Sequence, residues 1–243
     1  MMNTLAIAYD SDDLLLQAEA LSKHLHLPID NSARDRLVVT ADRLQLEIHP
    51  FSPLCTDFSR EFWQKRKEDG KKQGLVRACK PKPGLRIVDA TAGWGRDAAV
   101  LASFGAEVLM LERNPVLAAL LEDGLKQQDE HSKMALRLKV INRDAITWLG
   151  SLKADEFPDV IYIDPMHPCR QKSALVKKDL QILQQLIGPD DDALALITIA
   201  RCCVIQKGVG KWPQHLPALL EPSASINGKT VRFDMYTPQT AER

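Results

Sequence analysis

The chain has 243 residues, of which 45% are hydrophobic and 26% are charged, and its formal net charge is zero. This composition is typical of a soluble globular protein with one large domain, and the net charge gives no argument for nucleic-acid binding. No apolar run approaches the roughly 18 residues of a membrane span, and the N-terminus lacks the basic start of a signal peptide. The cysteines are odd in number and form no Cys-x-x-Cys pair, which indicates free thiols in a reducing cytoplasm.

Residues 1–56 are predicted to form a small N-terminal α+β unit. The segment TLAIAY predicts a strand, and the amphipathic SDDLLLQAEALSKHL predicts a helix with Ser11 at its N-cap. Apolar and polar residues alternate in RLVVTADRLQLEIHP on both sides of Ala41 and Asp42, which predicts a β-hairpin.

Residues 57–84 are predicted to be a basic helical linker. Basic residues far outnumber acidic ones from Arg60 to Arg86, and the PKPG sequence at Pro81–Gly84 cannot continue a helix. Such a run of charge is usually the solvated face of a helix, and a contact with nucleic-acid phosphates is the alternative.

Residues 85–243 are predicted to form the main domain, because strand-like and helix-like segments alternate along them. LRIVDA, EVLMLER, LRLKVIN and DVIYI predict strands, and GRDAAVLASFG, NPVLAALLEDGLKQQ and KSALVKKDLQILQQLIG predict helices. We further expect DALALITIARCCVIQ to supply a buried strand and TVRFDMY to supply a late, antiparallel one. The pattern indicates a doubly wound, mostly parallel sheet between helices.

A glycine turn follows the first of these strands, in VDATAGWGRD. Ligands of doubly wound sheets bind beyond the carboxyl ends of the strands, and Gly93 and Gly95 would let the main chain approach a ligand there. Asp89 ends the strand and Asp97 opens the next helix. A tight turn without a ligand is the alternative.

The second strand ends with Glu112, at the distance from the glycine turn where an acid binds the ribose hydroxyls of a nucleoside. The alternative is a solvated acid that pairs with Arg113. The nucleoside interpretation is favoured, and NAD and S-adenosylmethionine (SAM) both fit it. Because Asp97 directly follows Arg96 at the helix start, a carboxylate there would repel a pyrophosphate, so SAM is the predicted cofactor.

The third strand leads to Asp144, which is followed by Ala145. Asp144 is placed to meet the exocyclic amine of an adenine, and it could equally be the N-cap of the helix AITWL. The sequence leaves these two roles open.

The segment VIYIDPMHP predicts the groups that align the substrate for methyl transfer. Proline holds the preceding residue extended, so Asp164 is rigidly presented at the end of a buried strand, although Asp-Pro is also a common turn. The Asp164 carboxylate and the Pro165 carbonyl can accept both N–H groups of a nucleobase amine and so direct its lone pair toward a methyl group. His167 would stack on the extruded base, a contact worth about 1–3 kcal/mol, or be an ordinary surface histidine.

Two basic segments flank this predicted base pocket, which favours a track for RNA phosphates over a merely solvated surface. The residues predicted to bind RNA are Lys65, Arg66, Lys67, Lys71 and Lys72 in the first segment, and Arg170, Lys172, Lys177 and Lys178 in the second.

With these residues in place, the chain resembles the RsmJ family of bacterial small-subunit ribosomal RNA guanine-N2 methyltransferases. The stretches that carry the resemblance are VDATAGWGRDAAVLASFGAEV, MLERNPVLAALLEDGL, IYIDPMHP, QKSALVKKDL and VRFDMY. The family usually has phenylalanine in place of His167 and two serines in place of Asp144 and Ala145.

The resemblance implies a fold, a substrate and a set of contacts. The fold is the seven-stranded Rossmann-like sheet of class I SAM-dependent methyltransferases. The substrate is a guanosine near the 3′ end of 16S rRNA, and the partner is 16S rRNA or the small ribosomal subunit. No metal and no membrane contact are expected. The implied cofactor contacts are Arg96, Asp97, Glu112, Arg113, Asp144, Ala145 and Asp164.

Other functions remain open on the sequence. An amino-methyltransferase acting on adenine in DNA or on another rRNA base would use the same corner at Asp164. A non-catalytic RNA-binding protein would use the same fold and basic track. An NAD-dependent dehydrogenase is disfavoured by the acidic first turn.

Overall fold

The computed structural model describes residues 5–166, 181–182 and 191–239, and for Lys71 it describes the backbone alone. The predicted His167, Arg170, Lys172, Lys177 and Lys178 lie outside the described residues. No helix within the described ranges has both the length and the apolarity that a membrane crossing needs.

The N-terminal part forms a three-stranded sheet and one helix. Its elements are β1 (Ala6–Tyr9), α1 (Leu15–Leu25), β2 (Arg36–Val39) and β3 (Leu44–Glu47). β1 pairs parallel with β2, and β2 pairs antiparallel with β3, which confirms the predicted hairpin. Ser11 occupies the N-cap position of a single 3-10 turn that leads into α1, but its hydroxyl donates to the carboxylate of Asp13 and caps no backbone N–H.

Two short helices connect this sheet to the rest of the chain, α2 (Arg60–Glu68) and α3 (Gly74–Cys79). Each helix buries one apolar face in the core that also holds the central strands of the large sheet. The buried residues include Trp63 on α2, and Leu75 and Cys79 on α3. The division of the chain at residues 56 and 84 stays a prediction.

The main sheet is seven-stranded and mostly parallel, as predicted. Its strands are β4 (Arg86–Asp89), β5 (Glu107–Glu112), β6 (Arg137–Asn142), β7 (Val160–Ile163), β8 (Lys207–Pro213), β9 (Ala224–Asn227) and β10 (Val231–Tyr236). They are ordered β6-β5-β4-β7-β8-β10-β9, and β10 runs antiparallel to both of its neighbours. The flanking helices are α4 (Arg96–Ser103), α5 (Pro115–Lys126), α6 (Glu130–Ala135), α7 (Ala145–Gly150) and α8 (Ala193–Cys202).

The predicted strand in DALALITIARCCVIQ is wrong, because this segment forms helix α8. Its buried residues Ala193, Leu196, Ile197 and Ala200 are spaced three and four apart, which is the period of one helix face. The strand that follows, β8, contains Gly208 and Gly210, so it lacks the apolar run that marks its neighbours. Cys202 and Cys203 therefore lie at the end of a helix and not on opposite faces of a strand.

The order of the strands fixes the position of the site. From β4 the chain adds β5 and β6 on one side, and it then returns to add β7 and β8 on the other side. The strand order reverses between β4 and β7, and in an open sheet of this kind ligands bind at the carboxyl ends of the strands at this reversal.

Candidate functional site

Acidic residues stand at the carboxyl ends of neighbouring strands. In the order of the sheet they are Asp144 after β6, Glu112 on β5, Asp89 on β4 and Asp164 after β7. The sheet register places Asp89 beside Met110 of β5 and Tyr162 of β7. The structure thus brings the acids that the sequence singled out to one edge of the sheet.

The glycine turn joins β4 to α4 and is held by Glu112. Gly93 and Gly95 both adopt the left-handed conformation, with φ of 54° and 70°. The N–H of Gly93 donates to Glu112 Oε2 at 3.0 Å, and the N–H of Gly95 donates to the carbonyl of Ala92 at 2.8 Å. The turn and the second strand therefore form one structural unit.

Gly95 is also required by packing. A Cβ placed on it would lie 2.7 Å from the ring of Phe58 and 2.9 Å from a methyl group of Leu121. Its missing side chain is explained by the fold, so it is no independent sign of a ligand. The predicted cofactor contacts of Gly93 and Gly95 stay predictions.

Glu112 is a buried carboxylate and not the solvated acid of the alternative interpretation. It is 4% exposed, and it also accepts the N–H of Asn114 at 2.8 Å. Arg113 pairs instead with Asp192, with 3.0 Å between Nη1 and Oδ2. Buried carboxylates are rare unless they are hydrogen-bonded, and these backbone donors satisfy that condition while fixing the position of Glu112.

Asp89 lies at the centre of the edge and is 1% exposed. It accepts the N–H of Thr91 at 3.2 Å. Burial, together with repulsion by Asp97, raises the pKa of Asp89 to about 8. A proton on this acid at neutral pH reduces the negative charge of the edge.

Asp89→Asn is expected to stabilise the protein more at pH 8 than at pH 5. The folded-state pKa of about 8 exceeds the ordinary 3.8, so between these values the folded protein holds a proton that the unfolded chain releases. Raising the pH in this window therefore favours unfolding, by up to about 1.4 kcal/mol per pH unit. Urea denaturation of both proteins at the two pH values measures the difference. An equal change in unfolding free energy at both would contradict the raised pKa.

Asp144 caps helix α7. Its Oδ1 accepts the backbone N–H of Thr147 at 2.8 Å and the hydroxyl of Thr147 at 2.8 Å. The N-cap role left open by the sequence is therefore confirmed. A contact of Asp144 or of the buried Ala145 with an adenine stays a prediction.

Asp164 lies at the start of the Asp-Pro segment, directly after β7. Its N–H donates to the hydroxyl of Thr91 at 2.7 Å, which ties the segment to the glycine turn. Its Oδ2 accepts from Lys211 Nζ at 2.7 Å, and the next residue, Pro165, is buried. The position of Asp164 is thus fixed from the backbone and from the carboxylate.

Asp97, at the start of α4, is the centre of an ion-pair network. Arg66 Nη2 lies 2.7 Å from its Oδ1, while the hydroxyl of Tyr162 at 2.7 Å and Lys211 Nζ at 3.4 Å share its Oδ2. Burial alone would raise the pKa of Asp97, but Lys211 and Arg66 outweigh burial and hold it well below its usual range. Asp97 is therefore ionised and neutralised by the protein itself.

The sequence missed Lys211, Tyr162 and Thr91. Lys211 lies on β8, a strand that the sequence pattern does not predict, so nothing in the pattern brings this lysine to the site. In the sequence, Tyr162 is one residue of an apolar strand and Thr91 is one residue of the glycine turn, so neither carries a separate signal of the site.

The basic residues of the first segment have different surroundings. Lys65 and Lys72 are exposed, and the ammonium of the exposed Lys67 lies 5.6 Å from the ring centre of Trp63. Arg66 is turned inward, where it also donates to the carbonyl of Arg96 at 2.9 Å. The guanidinium of Arg96 lies 5.6 Å from the ring centre of Phe62. Their contacts with RNA or cofactor stay predictions.

The residues at this edge suit SAM. A nucleoside needs hydrogen-bond acceptors for its ribose, which Glu112 can supply, and carboxylate oxygens along this edge also attract a positively charged sulfonium. Within the described part of the chain, no group of three or more His, Cys, Asp or Glu side chains could hold a metal ion.

Comparison with known proteins agrees with this geometry. The family model SAM_MT, which describes SAM-dependent methyltransferases, matches residues 20–238. The chain is 53% identical to ribosomal RNA small subunit methyltransferase J of Legionella pneumophila (strain Lens) over 96% of both chains. It is 41% identical to the protein of that name from Coxiella burnetii (strain Dugway 5J108-111), covering 97% of this chain and 98% of the relative.

A solved structure is similar over the whole chain. A SAM-dependent methyltransferase from Neisseria gonorrhoeae superimposes with a TM-score of 0.73 at 26% identity, covering 98% of this chain and 97% of that one. The fold, the acidic edge and these similarities together establish a SAM-dependent methyltransferase, and the chain belongs to the ribosomal RNA small subunit methyltransferase J family.

Proposed function

We propose that the protein methylates the exocyclic N2 of a guanosine near the 3′ end of 16S rRNA in the small ribosomal subunit. The observation that carries the proposal is the Asp164-Pro165 corner, which lies beside the acidic edge at the reversal of the strand order. The names of the family members supply the class of RNA, and the resemblance described above supplies the guanine amine.

The substrate amine is a weak nucleophile because its lone pair is conjugated with the purine ring. The carboxylate of Asp164 and the carbonyl of Pro165 accept its N–H groups and draw the lone pair out of conjugation. Rigid placement of both acceptors lowers the entropic part of the barrier. After transfer the amine loses its extra proton readily, so no strong base is required.

The cofactor, when bound, supplies an electrophilic methyl group. Glu112 would accept the ribose hydroxyls, and the turn at Gly93–Gly95 would line the amino-acid portion together with Asp89. Asp144 and Ala145 would face the adenine, and Arg96, Asp97, Arg113 and Asp164 complete the predicted set of cofactor contacts. The burial of Glu112 and Asp89 supports this assignment, since the carboxyl group of each is fixed by backbone donors.

The RNA would lie along the exposed basic residues of α2 and the turn after it. Lys65, Lys67 and Lys72 are exposed there and can neutralise phosphates. A ribosomal substrate also implies a cytoplasmic location for the protein.

Mass spectrometry of 16S rRNA from cells that lack this protein tests the proposal. We expect one N2-methylguanosine near the 3′ end to be missing and to return when the purified protein and SAM are added to the small subunits. A complete set of methyl groups on that rRNA would contradict the proposal. Methyl transfer to adenine in DNA, or SAM binding without transfer to rRNA, would favour the alternatives in its place.

A further inference from the structure

Lys211 forms an ion pair with the carboxylate to which the reaction is assigned. Ile163 of β7 pairs with Gly210 of β8, so the residues that follow them, Asp164 and Lys211, stand side by side at the carboxyl edge. The ammonium lies 2.7 Å from Asp164 Oδ2. The Lys211 side chain is 27% exposed and that of Asp164 is 33% exposed, so both remain accessible to a substrate.

The ammonium is held in place by a second carboxylate. Asp97 Oδ2 lies 3.4 Å from Lys211 Nζ, and Asp97 is itself fixed by Arg66 and by the hydroxyl of Tyr162. These contacts also raise the pKa of Lys211, although burial opposes them. The site therefore presents a charged donor and a charged acceptor next to each other in fixed positions.

This pair is complementary to one edge of guanine. The Watson–Crick edge of guanine carries an acceptor at O6, followed by the donors N1–H and N2–H. A carboxylate that accepts from the N–H groups, with an ammonium beside it that donates to O6, matches that order. Adenine presents an amine in place of O6 and an unprotonated N1, so the ammonium would meet a donor and the carboxylate would meet a lone pair.

We propose that Lys211 is the specificity-determining residue that selects guanine by donating a hydrogen bond to its O6 while Asp164 accepts from the base. The inference rests on the proposed function and adds to it the group that excludes adenine. A site built to hydrogen-bond a substrate group rejects analogues that lack that group, because its own polar atom is left unpaired.

The test compares guanosine with 6-thioguanosine at the target position of 16S RNA in reassembled small subunits. Sulfur is a weaker acceptor than oxygen, whereas N1–H and the N2 amine are kept. For the wild-type protein we expect kcat/KM to fall about tenfold on the thio substrate. Lys211→Met should lower kcat/KM on guanosine about 10- to 100-fold and make the two substrates nearly equal.

Matched variants separate this role from a structural one. Lys207→Met removes a lysine at the opposite end of the same strand and should keep the wild-type preference for guanosine. Lys211→Arg keeps the charge and the donors and should retain part of the preference. SAM affinity measured by calorimetry should fall less in Lys211→Met than in Glu112→Ala, because Arg66 and the hydroxyl of Tyr162 still hold Asp97.

Each result decides between the roles. The specificity proposal is overturned if the wild-type protein uses guanosine and 6-thioguanosine equally well. It is also overturned if Lys211→Met loses activity on both substrates but keeps the wild-type ratio of their kcat/KM values, because Lys211 then only positions Asp164. Wild-type protein that forms no N2-methylguanosine on small subunits would refute the proposed function, which is a different outcome.

Discussion

Replacing Asp164 by alanine is expected to reduce methyl transfer roughly 10²–10⁴-fold, because the amine loses the acceptor that aligns its lone pair. The change also leaves Lys211 without the partner that lies 2.7 Å away. Single-turnover transfer of a labelled methyl group to small subunits measures the chemical step directly. SAM affinity should fall less than in Glu112→Ala, since Glu112 and the glycine turn are intact and only the predicted contact of Asp164 with SAM is lost.

A matched control for this variant is Asp155→Ala, which removes an exposed acid before the amino end of β7. This control should transfer methyl groups at the wild-type rate. Near-normal single-turnover rates for Asp164→Ala itself would refute the assignment of the reaction to the Asp-Pro corner.

Glu112→Ala is expected to weaken SAM binding about 10- to 100-fold, which is the scale of losing hydrogen bonds to a charged acceptor. Two effects combine here. The ribose loses its acceptor, and the N–H groups of Gly93 and Asn114 lose theirs, so the glycine turn is no longer fixed. Isothermal titration calorimetry with SAM measures the dissociation constant.

Glu107→Ala is the control at the other end of the same strand, where Glu107 is exposed and pairs with Arg137. It should leave the dissociation constant unchanged. Glu112→Gln keeps one acceptor oxygen and should fall between the wild type and the alanine variant. A wild-type dissociation constant for Glu112→Ala would exclude the ribose contact.

Most of the main sheet could be predicted from the sequence because its strands are apolar and separated by helices with a clear period. Val160–Ile163 is the simplest case, since every residue of that run is buried. The fifth strand could not be found in this way. Gly208 and Gly210 interrupt β8, so this strand has no continuous apolar run. The segment before it is more apolar, but its buried residues have the spacing of a helix.

The acids of the site could be predicted because each stands at the end of a strand, and parallel strands bring their carboxyl ends together. Their partners could not, since contacts between distant segments leave no local pattern. Arg66 was placed among the RNA-binding residues for its charge, yet it lies against Asp97. An unpaired Asp97 would repel a pyrophosphate, but in the structure Arg66 and Lys211 neutralise this carboxylate.

The measurement that tests the central claim most directly is a crystal structure of this protein with SAM bound. We predict that the ribose hydroxyls donate hydrogen bonds to the carboxylate of Glu112. We also predict that the transferable methyl group faces the corner formed by Asp164 and Pro165. A cofactor bound at another edge of the sheet, with its methyl group directed away from that corner, would contradict the account.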